Sequence, residues 1–406
     1  MSQALSQADM DASAFTPPPL DTDAATFPQP FWAEPFAHIL RSAPRPVRIL
    51  SPCVGIDAPM RAAIEMEMPW QCVGSYDVRV QSRQAVVSLG CSQETLFFGQ
   101  RGGNVCDVPL GSLDISADGL VSGPPCPPYS TMGQRLGTAD PRANVFLIVA
   151  KWILHLVRYG SLRFFVVENV SGIAKRKRGE SESFATWFLR EMQSELNDVN
   201  AGWEVQMLER DALQCCVPQH RHRVFFIGTA SCMRATSLQR RVLSAGPPVR
   251  PSVDILDFLD HEARLDDCDS LTFRQNVYLT EQLAAWHLHE ASMRTVAIID
   301  VSRDPFRKMD SALAIGCART LRTNCSHLWI LPGPPFLHIF GPRGRFLTRA
   351  EKCRVAGVVP SSLSSLSDSD VDLALGNTIP VPLAGHVLFP VLRAWIVSVR
   401  PQLPSC

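Results

Sequence analysis

Three observations predict an α/β chain built on a doubly wound, mostly parallel sheet with a smaller irregular domain attached. From Val47 onward, short apolar runs of strand length alternate with longer segments, the pattern of strands covered by helices on both faces. Two of those segments, Asn144–Tyr159 and Phe184–Leu196, repeat apolar residues at three- and four-residue spacing, as helices do. After Gly228 the rhythm stops, so a module of different design follows.

Residues 1–45 are rich in Pro, Ala, Ser and Asp, with Pro17-Pro18-Pro19 and further prolines up to Pro46, and read as a disordered acidic tail. The catalytic unit is expected over 46–230. Its candidate strands are Val47–Leu50, Gln71–Tyr76, Asn104–Asp107, Gly119–Ser122, Arg163–Val167, Trp203–Leu208 and Val224–Ile227. In such sheets ligands bind at the carboxyl ends of the strands. Residues 231–343 mix Arg-bearing segments, an acidic stretch from Asp254 to Asp269 and apolar pieces of no clean period. A helical pattern returns at Leu347–Ala356 and a last segment, 344–400, rejoins the catalytic unit.

Composition bounds the rest. Apolar residues make up 46% and charged residues 19%, the balance of a globular chain and not of a disordered one. Lys+Arg and Asp+Glu both count 39, yet a partner feels local fields and not the total. Asp9, Asp11, Asp21, Asp23 and Glu34 fall in the first 40 residues, where no Lys or Arg occurs, so the remainder carries five more basic than acidic residues. Thirteen cysteines without a Cys-x-x-Cys pair indicate neither a disulfide framework nor a zinc ribbon. A reducing, intracellular setting follows, the nucleus if the source is eukaryotic. Thr378–Val399 is apolar and long enough to span a bilayer, but Pro380, Pro382, Pro390, His386 and Arg393 suit a buried turn and helix. No membrane partner is expected.

The chemistry concentrates in three places. Gly123-Pro124-Pro125-Cys126 follows a strand and presents a cysteine where a helix should begin. A helix amino terminus or nearby cations would favour the thiolate, the nucleophilic form; a polyproline recognition segment or a buried thiol are the alternatives. The strand at Arg163–Val167 ends in Glu168-Asn169-Val170, delivering a carboxylate to the same sheet edge. In Gln219-His220-Arg221-His222-Arg223, alternation sends Arg221 and Arg223 to one side and the histidines to the other. No third ligand accompanies the histidines, so no metal is expected.

In this order these residues resemble the cytosine-5 DNA methyltransferase family. The Pro-Cys loop is matched at Cys126, the Glu-Asn-Val signature at Glu168-Asn169-Val170, and the Gln-x-Arg-x-Arg signature at Gln219, Arg221 and Arg223. The late signatures are matched by Arg345-Phe346-Leu347-Thr348 with Glu351 and Arg354, and by Gly376-Asn377-Thr378-Ile379-Pro380. The resemblance implies a Rossmann-like methyltransferase sheet, S-adenosylmethionine as cofactor and a target-recognition region over 231–343. It assigns catalysis to Cys126, Glu168, Arg221 and Arg223, and cofactor binding to Cys53, Val54, Gly55, Ile56, Ser75, Asp77, Asp107, Asn377 and Thr378. The cofactor turn departs from the family, keeping Gly55 but continuing as Asp57-Ala58-Pro59.

The implied reaction adds the Cys126 thiolate to C6 of a cytosine and methylates C5, on a base flipped out of its stack. The implied partner is DNA; the alternatives are RNA, because one branch of the family methylates tRNA, and a catalytically weakened family member that acts as a nucleic-acid-binding protein, to which the altered cofactor turn and Ser75 point. Gln219 and the basic run Lys175, Arg176, Lys177 and Arg178 would meet nucleic acid; for that run a nuclear-localisation signal and a solvated loop stay open.

Overall fold

The structure, a computed structural model, describes residues 32–126, 129, 140, 142–176, 179–199, 202–233, 253–261, 271–301, 313–323 and 327–400. The first part of the chain runs α1 (Glu34–Leu40), β1 (Val47–Pro52), α2 (Ala58–Glu65), β2 (Trp70–Asp77), α3 (Ser82–Val87), β3 (Leu96–Phe98) and β4 (Gly119–Ser122). It continues with α4 (Ala143–Tyr159), β5 (Phe164–Val170), α5 (Phe184–Val199), β6 (Glu204–Asp211), β7 (Gln219–His220) and β8 (His222–Thr229). Seven of these strands form one sheet in the order β3-β2-β1-β4-β5-β8-β6.

From β3 to β5 every pairing is parallel, while β8 runs antiparallel to both β5 and β6. The reversal has a local cause: only Ala212–Arg221 connects β6 to β8, too short for the crossover a parallel pair needs. All four residues of β4 and six of the seven in β5 are buried, as strands covered on both faces must be. Neighbouring residues feed opposite cores: Ile49 and Phe164 pack toward α2, Leu50 and Phe165 toward α4 and α5.

Beyond β8 come α6 (Phe273–His287), β9 (Ala297–Asp300), β10 (Ala314–Ile315), β11 (Ala318–Arg319), β12 (Leu328–Leu331), α7 (Leu337–Phe340) and β13 (Arg345–Phe346). A second, antiparallel sheet runs β10-β9-β12-β13, and a small core of its own holds Leu279, Trp286, Ile299 and Trp329. The chain then returns as α8 (Arg349–Val355), α9 (Asp368–Asn377) and α10 (Val381–Val399). α8 starts on a reciprocal cap between Thr348 and Glu351, which satisfies two otherwise free amide groups. The stretch Asp368–Val399, which holds α9 and α10, is long and apolar enough to cross a membrane by length and composition, but most of its apolar window is buried inside the protein.

Two sequence expectations need correction. The low-order tail does not reach residue 45: α1 is helical, and Trp32, Ala37 and Leu40 are buried. Composition hides the four-residue spacing of Trp32, Phe36 and Leu40. The Trp32 ring lies on Gly385, where a Cβ would stand 2.1 Å from Cζ3, its Nε1 donates to Glu65 at 2.8 Å, and Phe36 stacks on Phe389. The strand expected at Asn104–Asp107 is instead a 3-10 turn over Val105–Asp107; the third strand is the three-residue β3. Asn104 caps that turn through its side chain, a local bond that competes with strand pairing.

Candidate active site

Cys126 is positioned by the strand next to its own. β4 pairs with β5 so that Ser122 lies beside Val167, which brings the following loop alongside Glu168 and Asn169. The Asn169 side-chain amide donates to Pro124 O at 3.3 Å, and Ser122 Oγ donates to Pro52 O at 2.6 Å. Past the cysteine, Tyr129 N–H donates to Cys126 O at 3.0 Å, and the Tyr129 carbonyl rests on Gly172, where a Cβ would sit 2.0 Å from it. The loop is thus held from both sides by the segment that carries Glu168.

Arg223 reaches Glu168 from the antiparallel neighbour, with Nε 2.8 Å from Oε1 and both side chains about nine-tenths buried. Arg221 is buried on the same face, donating to Leu321 O and Gly376 O, each at 2.9 Å. Gly376 itself lies against backbone, since a Cβ would come within 2.2 Å of Arg322 C and Thr323 N. One guanidinium therefore ties the seven-stranded sheet to the second module and to the returning C-terminal segment. Burial pushes the Cys126 thiol above its ordinary range, the Glu168 charge adds to that, and Arg223 and Arg221 oppose it. Burial likewise raises Glu168, against the pull of the same two arginines.

The other half of the site is a backbone turn between β1 and α2. Cys53, Gly55 and Asp57 have φ of 57°, 56° and 55°, a left-handed conformation that side chains other than glycine's resist. Asp77, at the end of β2, pins the turn: its Oδ2 accepts from Gly55 N–H at 2.8 Å and its Oδ1 from Arg79 N–H at 2.9 Å. Asp57 offsets its strain by capping α2, accepting from Met60 N–H at 3.1 Å. Both halves line one cavity of about 480 Å³, a size that suits a small-molecule cofactor.

A family model for C-5 cytosine-specific DNA methylase matches residues 104–286, a stretch containing Cys126, Glu168, Arg221 and Arg223. Residues 104–286 belong to the C-5 cytosine-specific DNA methylase family. Type II methyltransferase M.DdeI of Desulfomicrobium norvegicum is 37% identical over 131 residues, 32% of this chain and 29% of that protein. Type II methyltransferase M.MthTI of Methanothermobacter thermautotrophicus is 32% identical over 111 residues, 27% of this chain and 29% of that protein. The chain thus spans under a third of the length of these curated relatives. The crystal structure of S. pombe Dnmt2 methyltransferase shares the methylase fold at a TM-score of 0.53 and 16% identity, covering 86% of this chain and 99% of that one.

Cys126, Glu168, Arg221, Arg223, Cys53, Val54, Gly55, Asp77, Asn377 and Thr378 all line the cavity. Other residues singled out in the sequence do not. Ser75 is fully buried beside Cys72, 3.3 Å from its Sγ, because β2 runs two residues further, to Asp77. Ile56 packs into the core. Asp107 is exposed, and Asn104 lines the cavity in its place. Gln219 is buried in the pairing of β7 with β11, out of reach of a nucleic acid in this arrangement. Lys175 and Arg176 are exposed just after the Glu168 strand; Lys177 and Arg178 lie outside the described residues. Asp57, Arg79, Gly103 and Arg142 also line the cavity without having been singled out. The Gly102-Gly103 pair before Asn104 was the available signal, because adjacent glycines mark a close backbone approach.

Proposed function

We propose that the chain methylates C5 of cytosine in DNA through a covalent bond between Cys126 and C6 of the base. The observation that carries this reading is the placement of Cys126, Glu168 and Arg223 in one cavity with the Asp77-pinned turn. The residues present fit S-adenosylmethionine as donor. A Cβ at Gly55 would meet nothing within 4 Å, so the turn borders open space, and the Asp77 carboxylate keeps lone pairs for ribose hydroxyls beyond its two backbone partners. Asn377 and Thr378 border the same cavity. When bound, this donor supplies an electrophilic methyl group.

The protein's own part is to make C5 nucleophilic. The Cys126 thiolate forms a bond to C6, and the electron pair displaced from the C5–C6 double bond becomes available at C5. Glu168 holds a proton at N3 of the base, and Arg223 places positive charge beside it where negative charge develops. In the free site, burial and Glu168 keep the thiol protonated. As the thiolate forms, the proton it gives up is taken by the Glu168–N3 pair, which neutralises that charge, so base binding and thiolate formation reinforce each other. After methylation the C5 proton leaves to a base, the S–C6 bond breaks and the thiolate is restored. The base must be flipped to reach Cys126. Lys175 and Arg176, exposed just after the Glu168 strand, would meet phosphates.

The test uses labelled S-adenosylmethionine with duplex DNA or small RNA, for the wild type and Cys126→Ala, and DNA carrying 5-fluorocytosine. A protein–DNA adduct that needs both Cys126 and the donor is the expected result. Transfer to RNA alone would move the substrate to RNA, and label on DNA unchanged in Cys126→Ala would remove the nucleophile.

A further inference from the structure

Two thiols outside the cavity meet beside the elements that build its turn. Cys72 lies in β2 and is half-buried; Cys91, beyond α3, is buried. Cys91 Sγ stands 3.4 Å from Met60 Sδ in α2 and hydrogen-bonds with Cys72 Sγ, while Ser75 Oγ lies 3.3 Å from Cys72 Sγ. Cys91 has one proton for two acceptors. A thiolate attracts it more strongly than a thioether does, so Cys91 donates to Cys72 once that thiol ionises. This bond, joined by one from Ser75, holds Cys72 below the ordinary thiol range, and it keeps Cys91 protonated above that range. Cys126, raised by burial, is the opposite case. A reachable thiolate with a protonated thiol beside it is the pairing in which one sulfur is oxidised first and the other resolves it.

We propose that Cys72 and Cys91 are a redox pair: a peroxide joins them in a disulfide that loosens the turn after β1 and weakens donor binding, and a thiol reductant reverses it. The Cys72 thiolate attacks one peroxide oxygen. An S–O bond forms, the O–O bond breaks, and the leaving hydroxide takes up the proton that Cys72 released, giving water. The Cys91 sulfur then attacks the Cys72 sulfur, the S–O bond breaks, and the hydroxyl leaves with the Cys91 proton as a second water. Each sulfur is oxidised by one electron, and the peroxide is reduced by two. The product has no thiol proton for Met60 and no thiolate for Ser75, and its S–S bond of about 2.05 Å draws β2 and the segment after α3 together. Both lost contacts adjoin the turn: Asp57 accepts from Met60 N–H, and Ser75 precedes Tyr76 and Asp77, whose carboxylate holds Gly55 N–H. The disulfide is independent of methyl transfer, whereas its effect on the donor rests on that reading.

Peptide mass spectrometry on the full chain tests the pair. The protein is treated with hydrogen peroxide, its remaining thiols are blocked with iodoacetamide in urea, and trypsin cuts at Arg79 and Arg83, which separate the two cysteines. The expected product is a Cys72–Cys91 linked pair of peptides that dithiothreitol separates, with Cys126 recovered as a blocked thiol. Cys91→Ser should leave Cys72 as a sulfenic acid that dimedone traps, and Cys72→Ser should give neither product. Calorimetry with S-adenosylmethionine should show about fivefold weaker binding after oxidation, the scale of one lost hydrogen bond, restored by dithiothreitol and absent in Cys72→Ser. Linkage through other cysteines, or none, overturns the pair. A linked pair with unchanged donor affinity overturns the effect on the turn. If the reduced wild type binds no donor, the methyl-transfer reading fails, while the linked peptides still decide the pair.

Discussion

The two sides of the cavity are built by different means. On the side of β4, β5 and β8, side chains do the work: a thiol, a carboxylate and two guanidinium groups, buried together and bonded across adjacent strands. On the side of β1 and β2, backbone geometry does it: three residues with positive φ, and a carboxylate whose visible task is to hold amide groups. The matched family stretch begins at Asn104, so it contains the first side and not the turn of the second. Side-chain chemistry restricts a position to one residue type, whereas a turn needs only a chain able to adopt it. The side of β4, β5 and β8 is accordingly written in short motifs, while the turn after β1 carries Asp57, Ala58 and Pro59.

The largest effect that would break the contrast is at Cys126. On the proposed mechanism Cys126→Ala should lower methyl transfer by at least about four orders of magnitude, as loss of a nucleophile does, and leave donor affinity by calorimetry unchanged. Weakened donor binding in that variant would erase the division between the sides. Next comes Arg223→Ala, which strands a buried Glu168 without its ion pair; urea denaturation should show a loss of about 3–5 kcal/mol.

Glu168→Gln sharpens the electrostatics. Glu168 is the main charge raising the Cys126 thiol, so neutralising it should move the thiol's titration to lower pH. Iodoacetamide alkylation of Cys126, followed by peptide mass spectrometry, should begin at lower pH than in the wild type, where it rises only above the ordinary thiol range. An unmoved profile would mean that burial alone sets the thiol. The smallest effect is at Gly55→Ala. With open space around the added Cβ, the cost is backbone strain of about 1–2 kcal/mol, read as reduced donor affinity with Cys126 alkylation unchanged.

What was legible in the sequence follows the same division. β4 is legible to its boundaries, because Leu120 and Val121 stand between Asp118-Gly119 and Ser122-Gly123. Alternation placed Arg221 and Arg223 on one face, and both are buried there. It could not show that Arg221 grips Leu321 and Gly376, which lie 100 and 155 residues away. The donor side was read less well for physical reasons. Positive φ at Cys53 and Asp57 leaves no mark in residue type. β3 has only three residues, too few for a period, so a stretch with a capping asparagine, Asn104–Asp107, reads as the third strand in its place. Placing the β2 acid at Ser75 followed from ending that strand early.

The grip of Arg221 also sets a rule for exchanging the second module between relatives. β11 pairs with β7, Thr320 donates its hydroxyl to His220 O, and Leu321 O accepts from Arg221. Residues 318–321 thus belong mechanically with β7, β8 and Arg221 although they arrive within the second module. A hybrid protein joined before Ala318 keeps this staple with its own arginine; one joined after it brings a foreign backbone to a guanidinium that needs two carbonyls at fixed positions.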